Sequence, residues 1–379
     1  MTRHLLSLYL YYGVYFTGLG FLTYAPKYYG EIGLTNTQIG LISAVPAFIA
    51  LFAQPLWGVI SDRSAKKKHV IAGGVILAAV CSFAAEALRA QYLPLLIALT
   101  LVSVLTLHAV PVGSAIALEY TKEHQKPFGP IRLTGTVGYQ LGILLIGMTL
   151  PENLRGLYAV YGAALIISAA AAMLLPPVKG HQHGRTRVPM TALLGDRRIL
   201  WMLALAFLAQ VMAQFYLSFF SKYLGEIGMS NAVTGALTIL SVILEIPFLL
   251  VGDKLYKKLS IFKWMWIGLV LTGLRFIGIS IAKTPLTLTL SLLPCVFILI
   301  SFEFYPTIYL SQIVSKELAG TAQNVYQTVT YGLARIVGAL FGGMLAELFG
   351  IAMVFRAGGI LLLFAAAVTF VPLCRKMTE

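Results

Sequence analysis

Four ionisable residues stand inside otherwise apolar runs in the second half of the chain. Glu245 lies in Leu-Glu-Ile-Pro, Arg275 in Gly-Leu-Arg-Phe-Ile-Gly, Glu303 in Ser-Phe-Glu-Phe-Tyr-Pro and Arg335 in Leu-Ala-Arg-Ile-Val-Gly. Two acids and two bases on successive apolar segments balance to zero, as a buried charge-pair network requires. A carboxylate in apolar surroundings holds its proton more tightly, and a guanidinium beside it drives the proton off. Rearranging the arginine between two conformations would therefore load and release a proton. A static salt-bridge cluster would use the same residues without moving them. Asn324, Thr328, Tyr331, Arg335, Gly338 and Gly342 follow one another at spacings of 4, 3, 4, 3 and 4. That is one polar-and-small stripe on a helix, able to line a cavity while its glycines admit a neighbouring helix.

In the first half, Arg132, Thr136 and Tyr139 share one helical face, and His108 and Glu119 share another, eleven residues or about three turns apart. Arg132 also stands where a topology-fixing cation would stand, and His108 reads equally as a satisfied core histidine. Tyr12 and Tyr15, in a tyrosine-rich opening segment, could line a cavity or serve packing alone. Cys81, Cys295 and Cys374 lie in apolar runs, without metal or redox spacing, and read as small buried hydrophobes. No loop carries a metal-ligand spacing or a nucleophile–base pair, so no cofactor and no enzymatic activity are expected.

The elements that must position these groups follow from composition. Of 379 residues 59% are hydrophobic and 11% charged, with a mean hydropathy of +0.85; a soluble domain carries about 25% charged residues. A cytosolic enzyme, a nucleic-acid binder and a disordered regulator are excluded on that ground. A membrane helix needs about 20 mostly apolar residues. Twelve windows qualify, near 5–26, 37–60, 70–90, 93–118, 130–150, 157–176, 200–221, 232–252, 262–282, 285–312, 320–346 and 352–373. The first is too long for a cleaved signal peptide and has no small-residue cleavage site. With the N-terminus cytoplasmic, twenty of the 28 Lys and Arg fall on the inside, six outside and two, Arg275 and Arg335, within spans. The net charge of +14 is then the cytoplasmic face of a membrane protein and no signal for nucleic acid. Both termini are expected in the cytoplasm.

The segment Lys27-Tyr-Tyr-Gly-Glu-Ile-Gly-Leu-Thr-Asn36 recurs as Lys222-Tyr-Leu-Gly-Glu-Ile-Gly-Met-Ser-Asn231, 195 residues on, with seven identities in ten. Each copy joins the first span of a half to its second. The sequence therefore predicts an all-α polytopic protein of two six-helix bundles in the same orientation: residues 1–177, a basic cytoplasmic linker 178–198, and residues 199–379. Parallel repeats of this kind are an architecture of transporters, with the solute site near the midplane between the halves.

After the second span comes Gly58-Val-Ile-Ser-Asp62-Arg63-Ser-Ala-Lys66-Lys67-Lys68, which resembles the cytoplasmic signature of the major facilitator superfamily, with Ala65 in place of its second glycine. A decayed copy, Gly252-Asp253-Lys254 with Lys257 and Lys258, stands at the matching place in the second half. The resemblance implies a conformational gate at Gly58, Asp62 and Arg63. Glu245, Arg275, Glu303 and Arg335 are similar in span and context to the proton-coupling set of the lactose permease branch, which includes oligosaccharide, nucleoside and phenylpropionate proton symporters. The branch's histidine three residues before the span-ten Glu falls on Ile300, and its acids in span seven have no counterpart here. Phe128-Gly-Pro-Ile-Arg132 resembles the segment opening span five in that branch, where the Arg binds solute with help from a Glu at the end of span four. That implies solute contacts at Arg132, Thr136 and Tyr139, with Glu119 as the acid and His108 beside it. The branch's sugar-stacking Trp falls on Tyr139.

The expected function is a proton-coupled symporter importing a small organic solute such as a sugar, nucleoside or aromatic acid by alternating access. It would sit in a bacterial inner membrane, with the solute, protons and the lipid bilayer as its partners, and work as a monomer. A proton-antiporting exporter of drugs or metabolites is the alternative, though span five lacks the antiporters' Gly-Pro-rich signature. A transporter-like membrane sensor ranks below both, because the tails and linker offer little docking surface.

Overall fold

The computed structural model describes the backbone of residues 3–178, 196–256, 258–314 and 316–375, and their side chains except at 62, 249–256, 311, 316–321 and 370–375. The linker core 179–195 lies outside the described residues, as do the side chains of Asp62, Asp253 and Cys374. Among the described residues eleven helices are long and apolar enough to cross a membrane. Helices are the expected solution, because a bilayer offers no partner to a free backbone N–H or C=O.

In chain order the spans are one (Arg3–Glu31), two (Asn36–Ser61), three (Lys67–Ala87), four (Tyr92–Glu123), five (Gly129–Thr149), six (Leu157–Met173), seven (Arg197–Glu226), eight (Asn231–Phe248), nine (Ile261–Ile281), ten (Pro285–Leu310), eleven (Ala322–Phe349) and twelve (Ile351–Thr369). The sixth is the shorter apolar helix beside the eleven. Side-chain caps fix several helix starts: Thr35 and Gln38 form a capping box at span two, Thr284 and Thr287 another at span ten, and Asp196 caps span seven.

Four spans are interrupted. Span one narrows to a 3₁₀ turn at Leu22–Tyr24, and span four breaks at Leu107 and His108, between Tyr92–Thr106 and Ala109–Glu123. Span ten contains a 3₁₀ turn at Leu293–Cys295, around Pro294, and a π-turn at Ile300–Phe304; span eleven contains a π-turn at Thr328–Leu333. Wide turns of this kind insert a residue and re-aim the side chains near them, and they recur at functional sites. His108, Glu303 and Tyr331 all lie on these irregular stretches.

The chain divides into two compact units: Met1–Arg185 together with Ser230–Gly235, and Thr186–Met229 together with Ala236–Glu379. In the first, spans one and five cross backbone to backbone. A Cβ at Gly138 would strike the Gly13 carbonyl, one at Gly142 the Thr17 carbonyl and one at Gly20 the Tyr139 carbonyl. The same unit holds a buried cation. Lys27 is 5% exposed, pairs with Glu152 at 3.1 Å and donates to Asn231 Oδ1 at 2.7 Å. The Asn231 N–H donates in turn to the Glu152 carboxylate, and the Tyr24 hydroxyl to the Asn231 carbonyl at 3.1 Å. In the second unit, Gly338 of span eleven meets the Val211 carbonyl of span seven, and Gly273 and Gly359 bring spans nine and twelve into contact at their own carbonyls. Small residues at such crossings replace the hydrophobic drive that helices lack inside a bilayer.

Candidate functional site

In the second unit, three of the four charges that the sequence singles out, Glu245, Arg275 and Glu303, lie near one another around span ten. The wide turn at Ile300–Phe304 carries Glu303, and Thr307 Oγ1 donates to its backbone carbonyl at 2.8 Å, satisfying an acceptor on this irregular stretch. The Glu303 carboxylate accepts a hydrogen bond from Gln210 Nε2 of span seven at 3.2 Å, and the Tyr331 hydroxyl of span eleven lies close to it. Glu245 of span eight lies within electrostatic range of both Glu303 and Arg275.

Arg275 of span nine is held by rings. Its guanidinium carbon lies 4.4 Å from the centroid of Tyr216 and 5.5 Å from that of Phe276. Its side chain is 5% exposed, and Nε finds no hydrogen-bond partner. A buried cation over an aromatic face gains about 2 kcal/mol or more when desolvated. The Tyr216 hydroxyl lies near Arg275 and Ser241, and Cys295 donates to the Ser241 carbonyl at 3.3 Å. Glu303, Glu245, Arg275 and Tyr216 thus form one string of polar groups across spans seven to ten. Arg335 lies one turn beyond Tyr331 with its side chain exposed.

In the first unit, Arg132 and Thr136 are exposed on span five and Tyr139 is half-buried. The Arg132 guanidinium carbon sits 4.8 Å from the centroid of Phe16, which stacks on Tyr12. Tyr12 bonds Ser114 Oγ at 3.0 Å, Tyr139 bonds Thr23 Oγ1 at 3.0 Å, and Tyr11 and Tyr15 donate to the carbonyls of Ala109 and Thr106. The tyrosines of span one therefore tie that helix to the broken span four and to span five, leaving Arg132, Thr136 and Tyr139 as a polar and aromatic face. The structure places Glu119 in another setting, 3.9 Å from Lys67 of span three. His108 stacks on Trp57 at 4.0 Å, bonds the Val70 carbonyl at 3.0 Å and fills the space that a side chain at Gly74 would need. It is a packed histidine in the break of span four.

At the segment that the sequence predicts as a gate, Gly58 has open space around it and Arg63 is exposed. The neighbouring lysines work locally: Lys67 pairs with Glu119, and Lys68 Nζ donates to the last-turn carbonyl of Met173 at 2.8 Å. A cation at a helix C-terminus is favoured there by the free carbonyls and the dipole.

Sequence reasoning missed Gln210 and Tyr216. Gln210 and Gln214 are buried amides four residues apart in an apolar span, and that spacing was the available signal. Among the described residues no group of three or more His, Cys, Asp and Glu is placed to hold a metal ion.

Residues 5–357 match the family model described as MFS_1 like. The chain is 25% identical to a maltose permease of Geobacillus stearothermophilus over 329 residues, 86% of this chain and 83% of that protein. It is 27% identical to a putative nucleoside transporter, YegT, of Escherichia coli K12, over 83% of this chain and 78% of that one. The crystal structure of a variant of the nucleoside transporter NupG superposes with a TM-score of 0.87 at 18% identity, covering 96% of this chain and 99% of that one.

Proposed function

We propose, for a chain that belongs to the MFS_1 like family and so to the transporters of the major facilitator superfamily, that it imports a small polyhydroxylated solute, a sugar or a nucleoside, together with a proton. One observation carries the coupling: Glu303 sits on a π-turn in the membrane, held by the neutral amide donor of Gln210, with Glu245 in electrostatic reach and Arg275 beside Glu245 along one string. An ionisable group inside a span costs about 2.5 kcal/mol or more, so a set of three in one network is a functional feature by default. The solute class rests on the relatives, a maltose permease, a putative nucleoside transporter and a xanthosine permease of Escherichia coli that is 22% identical over 344 residues.

Glu303 takes the proton, and Arg132, Thr136 and Tyr139 grip the solute. The Tyr139 ring offers a stacking face, and the Arg132 fork donates to hydroxyl or carbonyl oxygens. Symport requires that the loaded protein cross with both ligands or neither, and linkage of the two binding events through one conformational equilibrium supplies that. Asp62 and Arg63 act as the gate, and both termini lie in the cytoplasm. The six-helix bundles 1–177 and 199–379, with the linker 178–198 between them, are the units that alternate.

Proteoliposomes test this directly. Maltose, xanthosine and uridine are offered under an imposed inward proton gradient, and gradient-driven accumulation of at least one is expected. Glu303→Gln should abolish that accumulation while solute counterflow persists. Undiminished uphill transport by Glu303→Gln overturns the proton role, and accumulation only under the opposite gradient overturns import.

A further inference from the structure

Gln210 is a buried polar group, bonded to Glu303, that the coupling scheme leaves without a role. Its side chain is 1% exposed, so water does not compete for its amide, and its Nε2 lies 3.2 Å from Glu303 Oε1. A carboxylate only accepts hydrogen bonds, whereas the protonated acid must also donate one. Tyr331, half-exposed on the facing π-turn, can adjust by rotating its hydroxyl. A buried Gln adjusts differently: a half-turn of its carboxamide replaces the N–H donor with a C=O acceptor at nearly the same place, without changing shape. A lysine or a carboxylate at this position would satisfy one protonation state of Glu303 and strand the other, and a hydrocarbon would satisfy neither.

We propose that Gln210 is a positioning residue for proton transfer, whose amide donates to the Glu303 carboxylate and, turned over, accepts from the protonated acid. This rests on the reading of Glu303 as the proton carrier. The groups facing Glu303 are Gln210 from span seven, Tyr326 and Tyr331 from span eleven and Glu245 from span eight. Glu245 repels the carboxylate, and Arg275 of span nine acts on Glu245. Gln210 supplies the direct hydrogen bond, and the Tyr331 hydroxyl lies nearby. Removing the Gln210 donor destabilises the ionised form, so the proton is held to a higher pH.

The test compares Gln210→Met, of similar size without hydrogen bonds, Gln210→Glu, of the same shape with a charge, and the unaltered protein. The pH at which gradient-driven uptake is half-maximal should rise by roughly one to two units in Gln210→Met, as expected for the loss of a hydrogen bond to a charged group. In Gln210→Glu it should rise at least as far. Infrared difference spectra of the purified full chain give a reading independent of transport. The carboxyl C=O band that disappears in Glu303→Gln should titrate at higher pH in Gln210→Met and shift in frequency as its partner changes. A uniformly reduced rate, or a changed KM, with no movement of the pH profile or the band would make Gln210 a gap-filler or a solute ligand and overturn the inference. The two readings fail separately. Uphill transport by Glu303→Gln removes the proton carrier itself, whereas an unmoved Gln210→Met profile beside an inactive Glu303→Gln removes only the positioning role.

Discussion

The crossing of spans one and five sets a stability difference that can be worked from the structure. At Gly142 a Cβ would collide with the backbone carbonyl of Thr17, and backbone cannot swing aside as a side-chain tip can. The whole crossing must open, and overpacking of this kind costs about 1–3 kcal/mol. At Gly73 of span three nothing lies within 4 Å of the added atom. There an alanine only removes backbone freedom from the unfolded chain, a gain of up to about 1 kcal/mol in a helix. That gain is common to both sites, so the same Gly→Ala change should differ by about 1–3 kcal/mol between them. At about 2–4 °C per kcal/mol for a domain of 150–250 residues, Gly142→Ala should unfold roughly 2–12 °C below Gly73→Ala. The assay is thermal unfolding of the purified protein in one detergent at one scan rate, because unfolding of large proteins is often irreversible and its midpoint scan-rate dependent. Gly338→Ala, which would strike the Val211 carbonyl in the second unit, should fall with Gly142→Ala. Equal midpoints at Gly142 and Gly73 would refute the reasoning, since the two differ in contact but share a helical setting.

Lys27→Met removes the cation that Glu152 and Asn231 share, and it should be destabilising; in a double-mutant cycle with Glu152→Gln the coupling should exceed about 0.5 kcal/mol, and simple additivity would mean that the pair contributes nothing. At the start of span seven, Asp196 accepts from the Arg198 N–H at 2.8 Å and pairs with its guanidinium at 3.1 Å, so Asp196→Ala should cost about 0.5–2 kcal/mol at neutral pH. The Arg198 hydrogen bond holds the Asp196 carboxyl below its ordinary range. The native state therefore binds that proton less readily than the unfolded chain, and the advantage over Asp196→Ala should be present above about pH 4 and shrink as the pH falls through the native value. Denaturation midpoints at several pH values check it; a pH-independent difference would leave the backbone cap as the whole effect.

The spans and the intramembrane charges were legible because each breaks a strong local pattern: a charge in an apolar run needs a reason, and a breaker between two runs marks a turn. Glu245, Arg275 and Glu303 could be named from that alone. Gln210 could not, because a neutral amide is tolerated in a span and gives no comparable contrast. The ring under Arg275 was hidden for another reason: Tyr216 lies 59 positions earlier in the chain, and no helical periodicity links two different spans. Glu119 shows the same limit, since its closeness to Lys67 joins span four to span three. The wide turns at Ile300–Phe304 and Thr328–Leu333 depend on what packs against them more than on the propensity of their residues, so the Glu303–Tyr331 approach became visible only with the backbone in place.

The break in span four has a counterpart in span ten, the fourth membrane helix of the second half. A break in a membrane helix frees backbone groups that only neighbouring protein can satisfy. In span four the gap is plugged: the His108 imidazole wedges against Trp57 and bonds the Val70 carbonyl. In span ten the wide turn instead presents an ionisable acid to a buried amide donor. The same irregularity of backbone is thus spent on packing in one half and on holding an acid inside the bundle in the other.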